Sequence, residues 1–552
     1  LEHLIDTPNA SRSGRKDDPT AYDYIVVGAG SAGCVVAARL SEDPTCSVLL
    51  IEAGGTDRTP LCMKPGMISI VHTVPEIKKT VDWGYYTTPR EETLNRKIPT
   101  VRGKVMGGSS SINGLLFVRG NRANFDSWAA QGCEGWSWDD VLPAFRKLET
   151  FEDGSSTTRG GSGPVQVTRT KFSNPVSGMF ADAVRETTGV DWIDDYNTGE
   201  QEGVFVVQQS ARDGLRYSTS QAYIVPAAER RNLDVLTGVT VRRVLLEGTR
   251  CVGVEVEGPD GIRSIGATSE VVLSAGVIGS PHILQLSGIG PAAHLRSIGV
   301  QPIIDLPVGM NLHDHLFFPL VFLAPEAKHR GTAPYFFAGI AREYVFGDHW
   351  FGRTVFETMA FVKTDPSEPI PNLQIHTLPW AYPAPNQDAP VRPTVDTRPC
   401  ITVQPTLIYP KSRGEVLAKS ADPHEKPHID PHYLEHPDDM EFLLDSIELC
   451  REMARAPAIA QALDGELEPG PAFFDRVAMR KELPNRICTV YHPVGTCRMG
   501  VDERAVVDPQ LRVRGIEGLR VADASIMPSI TGGNTNAPAI MIGERCVELM
   551  RG

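Results

Sequence analysis

Hydrophobic patterning first becomes regular at Tyr24-Ile25-Val26-Val27, a short apolar run rich in β-branched residues, which predicts a buried parallel strand. It runs into Gly28-Ala29-Gly30-Ser31-Ala32-Gly33, and Cys34-Val35-Val36-Ala37-Ala38-Arg39-Leu40 then predicts a helix. Ser47-Val48-Leu49-Leu50-Ile51-Glu52 predicts a second strand, ending on a carboxylate. Glu270-Val271-Val272-Leu273-Ser274-Ala275 predicts another strand, and Ile540-Met541-Ile542-Gly543-Glu544-Arg545 a closing helix from about 537 to 548, with Pro538 in its first turn. Aromatic runs at Tyr335-Phe336-Phe337, Trp350-Phe351, Phe356 and Trp380-Ala381-Tyr382 are candidates for either ordinary core or an apolar pocket.

Strand, glycine turn, helix and strand together form a βαβ unit suited to a dinucleotide. Gly28 permits the tight turn, Gly30 lets the backbone approach a pyrophosphate, and Gly33 lets helix and strand pack closely. Glu52, 24 residues after Gly28, is placed to accept from an adenosine ribose hydroxyl. This unit serves FAD and NAD equally, because both carry an ADP moiety.

Length and composition narrow the rest. At 552 residues the chain is long enough for roughly two to four domains or one interleaved pair. With 41% hydrophobic and 22% charged residues it reads as globular. A net charge of −14 argues against nucleic acid as a partner. No apolar run approaches the length of about eighteen residues that a membrane span needs, and Leu1 to Tyr22 is polar and charged, unlike a signal peptide. The ten cysteines show no CxxC pair and no histidine at metal-ligand spacing. Reduced thiols, a cytoplasmic location and no metal are therefore expected.

Four further segments decide the cofactor. Gly103-Lys104-Val105-Met106-Gly107-Gly108-Ser109-Ser110-Ser111-Ile112-Asn113 through Phe117, Gly120 and Asp126 resembles the first signature of the glucose-methanol-choline (GMC) oxidoreductases. Gly276-Val277-Ile278-Gly279-Ser280-Pro281 through Gly290 resembles the second, with Val277 where a small residue is usual. Val308-Gly309-Met310-Asn311-Leu312-His313-Asp314-His315 resembles the family's turn into its substrate-binding part, with His313 where glutamine is common. Tyr491-His492-Pro493 through Gly500, Val521-Ala522-Asp523-Ala524-Ser525 and Asn534-Thr535-Asn536-Ala537-Pro538 match its C-terminal flavin segment. The likeness spans about residues 22 to 551 and is weakest from about 316 to 480.

This resemblance implies α/β plus α+β architecture, with a Rossmann-like FAD-binding domain (20–163, 206–315 and 488–552) interleaved with an antiparallel-sheet substrate-binding domain (164–205 and 316–487). Its implied cofactor residues are Gly28, Gly30, Ser31, Ala32, Gly33, Glu52, Ala53, Arg102, Gly107, Gly108, Ser109, Asn113, Gly114, Val241, Ala275, Asp523, Ala524, Asn534 and Thr535. His492 aligns with the family's catalytic base, an imidazole that titrates near neutral pH. Its partner is a His or Asn just ahead of the last helix. Asn534 and Asn536 both qualify, and Asn536 is expected because it directly precedes Ala537-Pro538, where the helix starts. The N-terminus of that helix is expected to face the flavin pyrimidine. His72, His282, His329, His424 and His428 are read as structural.

The implied reaction is oxidation of an alcohol to an aldehyde or ketone, with O₂ or another acceptor taking the electrons onward. Val490 matches choline oxidases and favours O₂. Ile112 replaces the histidine through which some relatives attach the flavin, so non-covalent FAD is expected. Leu316-Phe317 stands where choline oxidases carry proline and a carboxylate, so Phe317 and Trp380 are expected to meet an uncharged alcohol, aromatic, benzylic or long-chain, rather than choline. Two rival activities share this fold. A hydroxynitrile lyase would use His492 with a non-redox FAD, and a fatty acid photodecarboxylase would use Cys400 and Arg413 on a carboxylate.

Overall fold

A computed structural model describes residues 21–67, 75–171, 174–325, 327, five positions between 338 and 345, 352–382 and 398–552. His72, His329, Tyr335 to Phe337 and Trp350-Phe351 lie outside the described residues.

The first βαβ unit forms as its pattern predicts. Strand β1 (Ala21–Val27), helix α1 (Gly33–Leu40) and strand β2 (Val48–Glu52) are followed by helix α2 (Pro175–Thr188) and strands β3 (Gly203–Val206), β4 (Leu233–Thr237), β5 (Thr240–Glu247), β6 (Arg250–Gly258) and β7 (Gly261–Leu273). Helix α3 (Gly276–Leu286) leads to strands β8 (Leu316–Phe317), β9 (Leu320–Leu323), β10 (Thr358–Val362), β11 (Leu373–Leu378) and β12 (Cys400–Leu407). Helix α4 (Pro437–Ala454), strands β13 (Glu466–Glu468), β14 (Cys488–Thr489) and β15 (Leu519–Val521), and helix α5 (Asn536–Arg551) complete the elements used below.

Two large sheets organise the described residues. The first runs β4-β2-β1-β7-β6-β5, with β15 joined to β7. Its β4, β2, β1, β7 and β15 pairings are parallel, while β5, β6 and β7 form an antiparallel meander. A parallel strand is covered on both faces, which explains why β2 is buried along its whole length. Helices α1 and α5 contribute to the same core as β1, β2 and β7.

The second sheet runs β13-β9-β12-β11-β10-β3 and is antiparallel throughout, with β8 pairing both β12 and β14. Its residues alternate between two faces. Ala360, Val362, Leu373, Ile375, Val403 and Leu407 pack with Phe180 of α2 and with Leu443 and Ile447 of α4. Their neighbours on the other face include Met359, Gln374, His376 and Gln404, turned away from that core. Cys488–Thr489, expected with the FAD-binding segments, instead pair with Leu316–Phe317 in this sheet. His492 follows three residues later, so it stands where the chain passes from one sheet to the other. Among the described residues, no helix is long and apolar enough to cross a membrane.

Candidate active site

A cavity of about 1450 Å³ runs between the two sheets, from Glu52 and Val241 past Gly28 and Gly30 to His492. That exceeds the roughly 300–1,000 Å³ of an ordinary small-ligand site.

At one end, Gly28 takes φ 95°, which an L side chain resists, and its N–H donates to the Ile51 carbonyl at 2.8 Å. A Cβ on Gly33 would stand 1.9 Å from the Gly28 carbonyl oxygen, so α1 leaves the turn only because Gly33 has none. Glu52 ends β2 with its carboxylate accepting from Ala29 N at 2.9 Å and Gly54 N at 2.8 Å. Burial pushes this carboxyl up to about 7, and its residue lines the cavity. Hydroxyl donors are what such a carboxylate lacks, and a ribose supplies them. The residues present thus fit the dinucleotide half of FAD, and the volume beyond leaves room for its ring system.

At the other end, His492 follows Tyr491, whose φ of 64° is unusual for a bulky residue. This strained turn is held from several sides. Thr489 Oγ1 accepts from Tyr491 N at 2.7 Å, and the Arg102 guanidinium donates to the Tyr491 carbonyl. The Asp314 carboxylate accepts from His492 N at 2.8 Å and from the hydroxyls of Tyr433 at 2.7 Å and Thr489 at 2.5 Å. Asp314 is fully buried, and burial raises its carboxyl above the ordinary range.

The His492 imidazole is bracketed at both nitrogens. Its Nδ1 lies 3.0 Å from Nδ1 of His315, and its Nε2 lies 3.1 Å from Nδ2 of Asn534. An amide NH₂ only donates, so this arrangement gives Nε2 a lone pair and sends the Nδ1 proton toward His315. Asn534 Oδ1 in turn accepts from Gln374 Nε2 at 3.2 Å. Burial holds His492 well below its ordinary value, and the neighbouring His315, His376 and Arg102 push the same way. His315 and His376 are driven down to about 3, also chiefly by burial. All three imidazoles are neutral at neutral pH.

The wall beside them is apolar. Phe317 and Tyr382 meet at a tilt with centroids 5.9 Å apart, the Phe356 and His376 ring centroids lie 5.5 Å apart, and Leu378 and Trp380 continue the surface. Four carboxylates line the cavity, and each already has partners. Glu52 takes the two backbone N–H groups, Asp82 takes the Arg102 N–H and Lys78, Glu425 takes Ser420, and Asp523 takes Gly276 N and Ser280.

Every expected cofactor residue lines this cavity except Gly33, which packs behind the turn, and Gly107, whose φ of 80° shapes the Gly108–Ser111 turn from outside the wall. Phe317 and Trp380 line it as well. The expectation for Asn536 fails on geometry. Its Oδ1 accepts from the Ser31 hydroxyl at 2.8 Å, because as the first residue of α5 it is turned toward the dinucleotide loop. Asn534, in the irregular stretch just before the helix, is the amide that meets His492. Sequence reasoning also missed His315, His376 and Gln374. The alternation Leu373-Gln374-Ile375-His376 could have placed Gln374 and His376 on one face.

Of the other histidines, His424 contacts Glu257 and His428 contacts Thr88. His282 is buried on α3 at the cavity edge and pushed down to about 4. His313 donates from Nδ1 to the Asn311 carbonyl at 2.7 Å and accepts from Ile530 N at 2.9 Å, which settles it as structural. Neither Cys400 nor Arg413 lines the cavity: Cys400 packs with Val321 and Ala381, and Arg413 donates to the Pro410 and Ser412 carbonyls.

Comparison with known proteins agrees with this geometry. Family models described as GMC oxidoreductase match residues 22–317 and 410–543. An oxygen-dependent choline dehydrogenase of Sinorhizobium fredii is 38% identical over 541 residues, covering 96% of this chain and 95% of the relative. An alcohol dehydrogenase [acceptor] of Pseudomonas putida is 38% identical over 540 residues, with the same coverage. Among solved structures, pyridoxine 4-oxidase from Mesorbium loti superposes with a TM-score of 0.84 at 31% identity, over 96% of this chain and 98% of that one. With the glycine turn, the acid at its second strand and the buried histidine all joined by one cavity, the chain belongs to the GMC oxidoreductases, FAD-dependent enzymes acting on CH–OH groups.

Proposed function

We propose that this protein oxidises an uncharged alcohol, aromatic, benzylic or long-chain, to an aldehyde or ketone, with His492 as the base. The observation that carries the reading is the neutral His492 imidazole, its Nε2 lone pair set beside an amide donor at the aromatic end of the dinucleotide cavity. The alcohol O–H gives its proton to Nε2. The Asn534 NH₂, released from that lone pair, donates to the substrate oxygen as negative charge develops on it. His315 accepts the hydrogen bond from the Nδ1–H, which stays on His492, and so keeps the ring in the tautomer that can act as a base. Bound FAD supplies the two-electron acceptor for the hydride leaving the carbon.

Support for an uncharged substrate comes from Phe317 and the apolar rings beside it in the cavity wall, since a quaternary ammonium gains most from an open anionic partner. The pyridoxine 4-oxidase name points to an aromatic alcohol in a relative of the same fold. Val490 in the cavity wall and the oxygen-dependent name of the Sinorhizobium fredii relative favour O₂ as acceptor. FAD is held without a covalent bond, since Ile112 packs against Cys62, Val81, Val101 and Val105 and offers no nucleophile.

The test is anaerobic mixing of the purified holoenzyme with benzyl alcohol, a long-chain primary alcohol and choline, followed by admission of air. Bleaching of the flavin by an uncharged alcohol, with little by choline, is expected, and air should restore the colour. Bleaching by choline alone would overturn the substrate class. Cyanide release from a cyanohydrin with no bleaching by any alcohol would replace oxidation with lyase chemistry.

A further inference from the structure

We propose that Gln374 is a positioning residue, one that holds the Asn534 amide with its NH₂ toward His492 and thereby keeps a proton off His492 Nε2. This rests on the reading of His492 as the base.

Gln374 is the second residue of β11, fully buried, on the same face of the sheet as His376. Its Nε2 donates to Asn534 Oδ1 at 3.2 Å and touches Met359 Sδ at 3.3 Å, while its own Oε1 has no hydrogen-bond partner. A buried amide oxygen without a partner is unfavourable, and an apolar side chain of similar size would avoid that cost. What the glutamine does supply is direction. Two amides in contact have two self-consistent arrangements. With the Gln374 NH₂ against the Asn534 oxygen, the Asn534 NH₂ is left to face Nε2 at 3.1 Å. Reversed, the Asn534 oxygen faces Nε2, which must then carry the imidazole proton and cannot accept one from substrate. The chain of donors runs one way, from Gln374 to Asn534 to His492 Nε2, and from His492 Nδ1 to His315. His376, kept neutral by burial, also hydrogen-bonds the Asn534 side chain, so Gln374 shares the positioning with it.

Two replacements separate orientation from packing. Gln374→Met keeps the volume and removes the donor. Gln374→Glu donates when protonated, but once ionised it only accepts, which draws the Asn534 NH₂ toward itself and turns the oxygen onto His492. Limiting rates of anaerobic flavin reduction by benzyl alcohol, or by the fastest alcohol in the panel above, would be measured from about pH 6 to about pH 10, since burial raises an introduced carboxyl. Gln374→Met is expected to be slower by about tenfold, with little change in the apparent dissociation constant for the alcohol and a pH profile parallel to the parent protein. Gln374→Glu is expected to approach the parent rate at low pH and to lose rate as pH rises, opposite in sense to the parent. A parent-like rate for Gln374→Met, or a parent-shaped profile for Gln374→Glu, overturns the assignment. If Gln374→Glu does not retain FAD, the Gln374→Met rate decides alone. His492→Ala in the same series keeps the two readings apart. Near-normal reduction there removes the base, whereas slow His492→Ala beside parent-like Gln374 variants removes only the role of Gln374.

Discussion

His492→Ala is expected to lower the rate of anaerobic flavin reduction by between about 10² and 10⁴-fold, while the purified protein keeps its FAD. The separation follows from where the residue sits. The residues that fit the dinucleotide lie at the Gly28–Glu52 end of the cavity and His492 at the other, so on the proposed reading removing the imidazole takes away the base and leaves the dinucleotide end whole. Stopped-flow absorbance measures the first effect and the flavin-to-protein ratio the second; a rate within severalfold of the parent would sink the assignment. The pH profile of the parent protein carries a linked expectation. A histidine whose neutral form is favoured by burial stays a competent base until the pH falls below its depressed value. The acid limb of the reduction rate therefore lies well below pH 6.5, and a limb at or above 6.5 would contradict the burial argument.

Asn534→Ala is expected to cost about 10² to 10³-fold in the same rate, because it removes the donor that meets the substrate oxygen as charge develops. Asn536→Ala should leave reduction within severalfold of the parent and instead weaken FAD retention, since Asn536 Oδ1 holds the Ser31 hydroxyl of the dinucleotide turn. Measuring reduction rate and FAD content for both variants is decisive, because the opposite pattern would restore Asn536 as the partner of the base.

These two asparagines also mark how far the chain could be read without its fold. The first βαβ unit was legible because its signals are local: an apolar run, a glycine turn and a carboxylate at a fixed spacing. His492 was legible because a family motif surrounds it. Choosing between Asn534 and Asn536 needed the direction of a side chain at a helix start, and proximity to the helix pointed to Asn536, whose side chain meets Ser31 rather than His492. Asn536 belongs to the first turn and is carried round to Ser31, whereas Asn534 lies ahead of the helix and is free of its geometry. His315, His376 and Gln374 reach the site through strand pairings between residues far apart in sequence. His315 was visible only as part of a turn motif, and the other two fall where family likeness is weakest. Domain limits were least legible near residue 488, where a two-residue strand joins the antiparallel sheet just before the chain leaves it.

The two-faced antiparallel sheet separates selectivity from stability. Residues 374, 376, 378 and 380 reach or border the cavity, while Leu373 and Ile375 on the other face are fixed in the core with α2 and α4. Strand geometry assigns neighbours to opposite faces, and Leu378, with Trp380 just past the strand's end, lines the cavity and stands outside that core. A chain built this way can drift from one alcohol to another by single substitutions on the cavity side, and a designer wishing to redirect it has the same route along one face of a strand and the residues just beyond it.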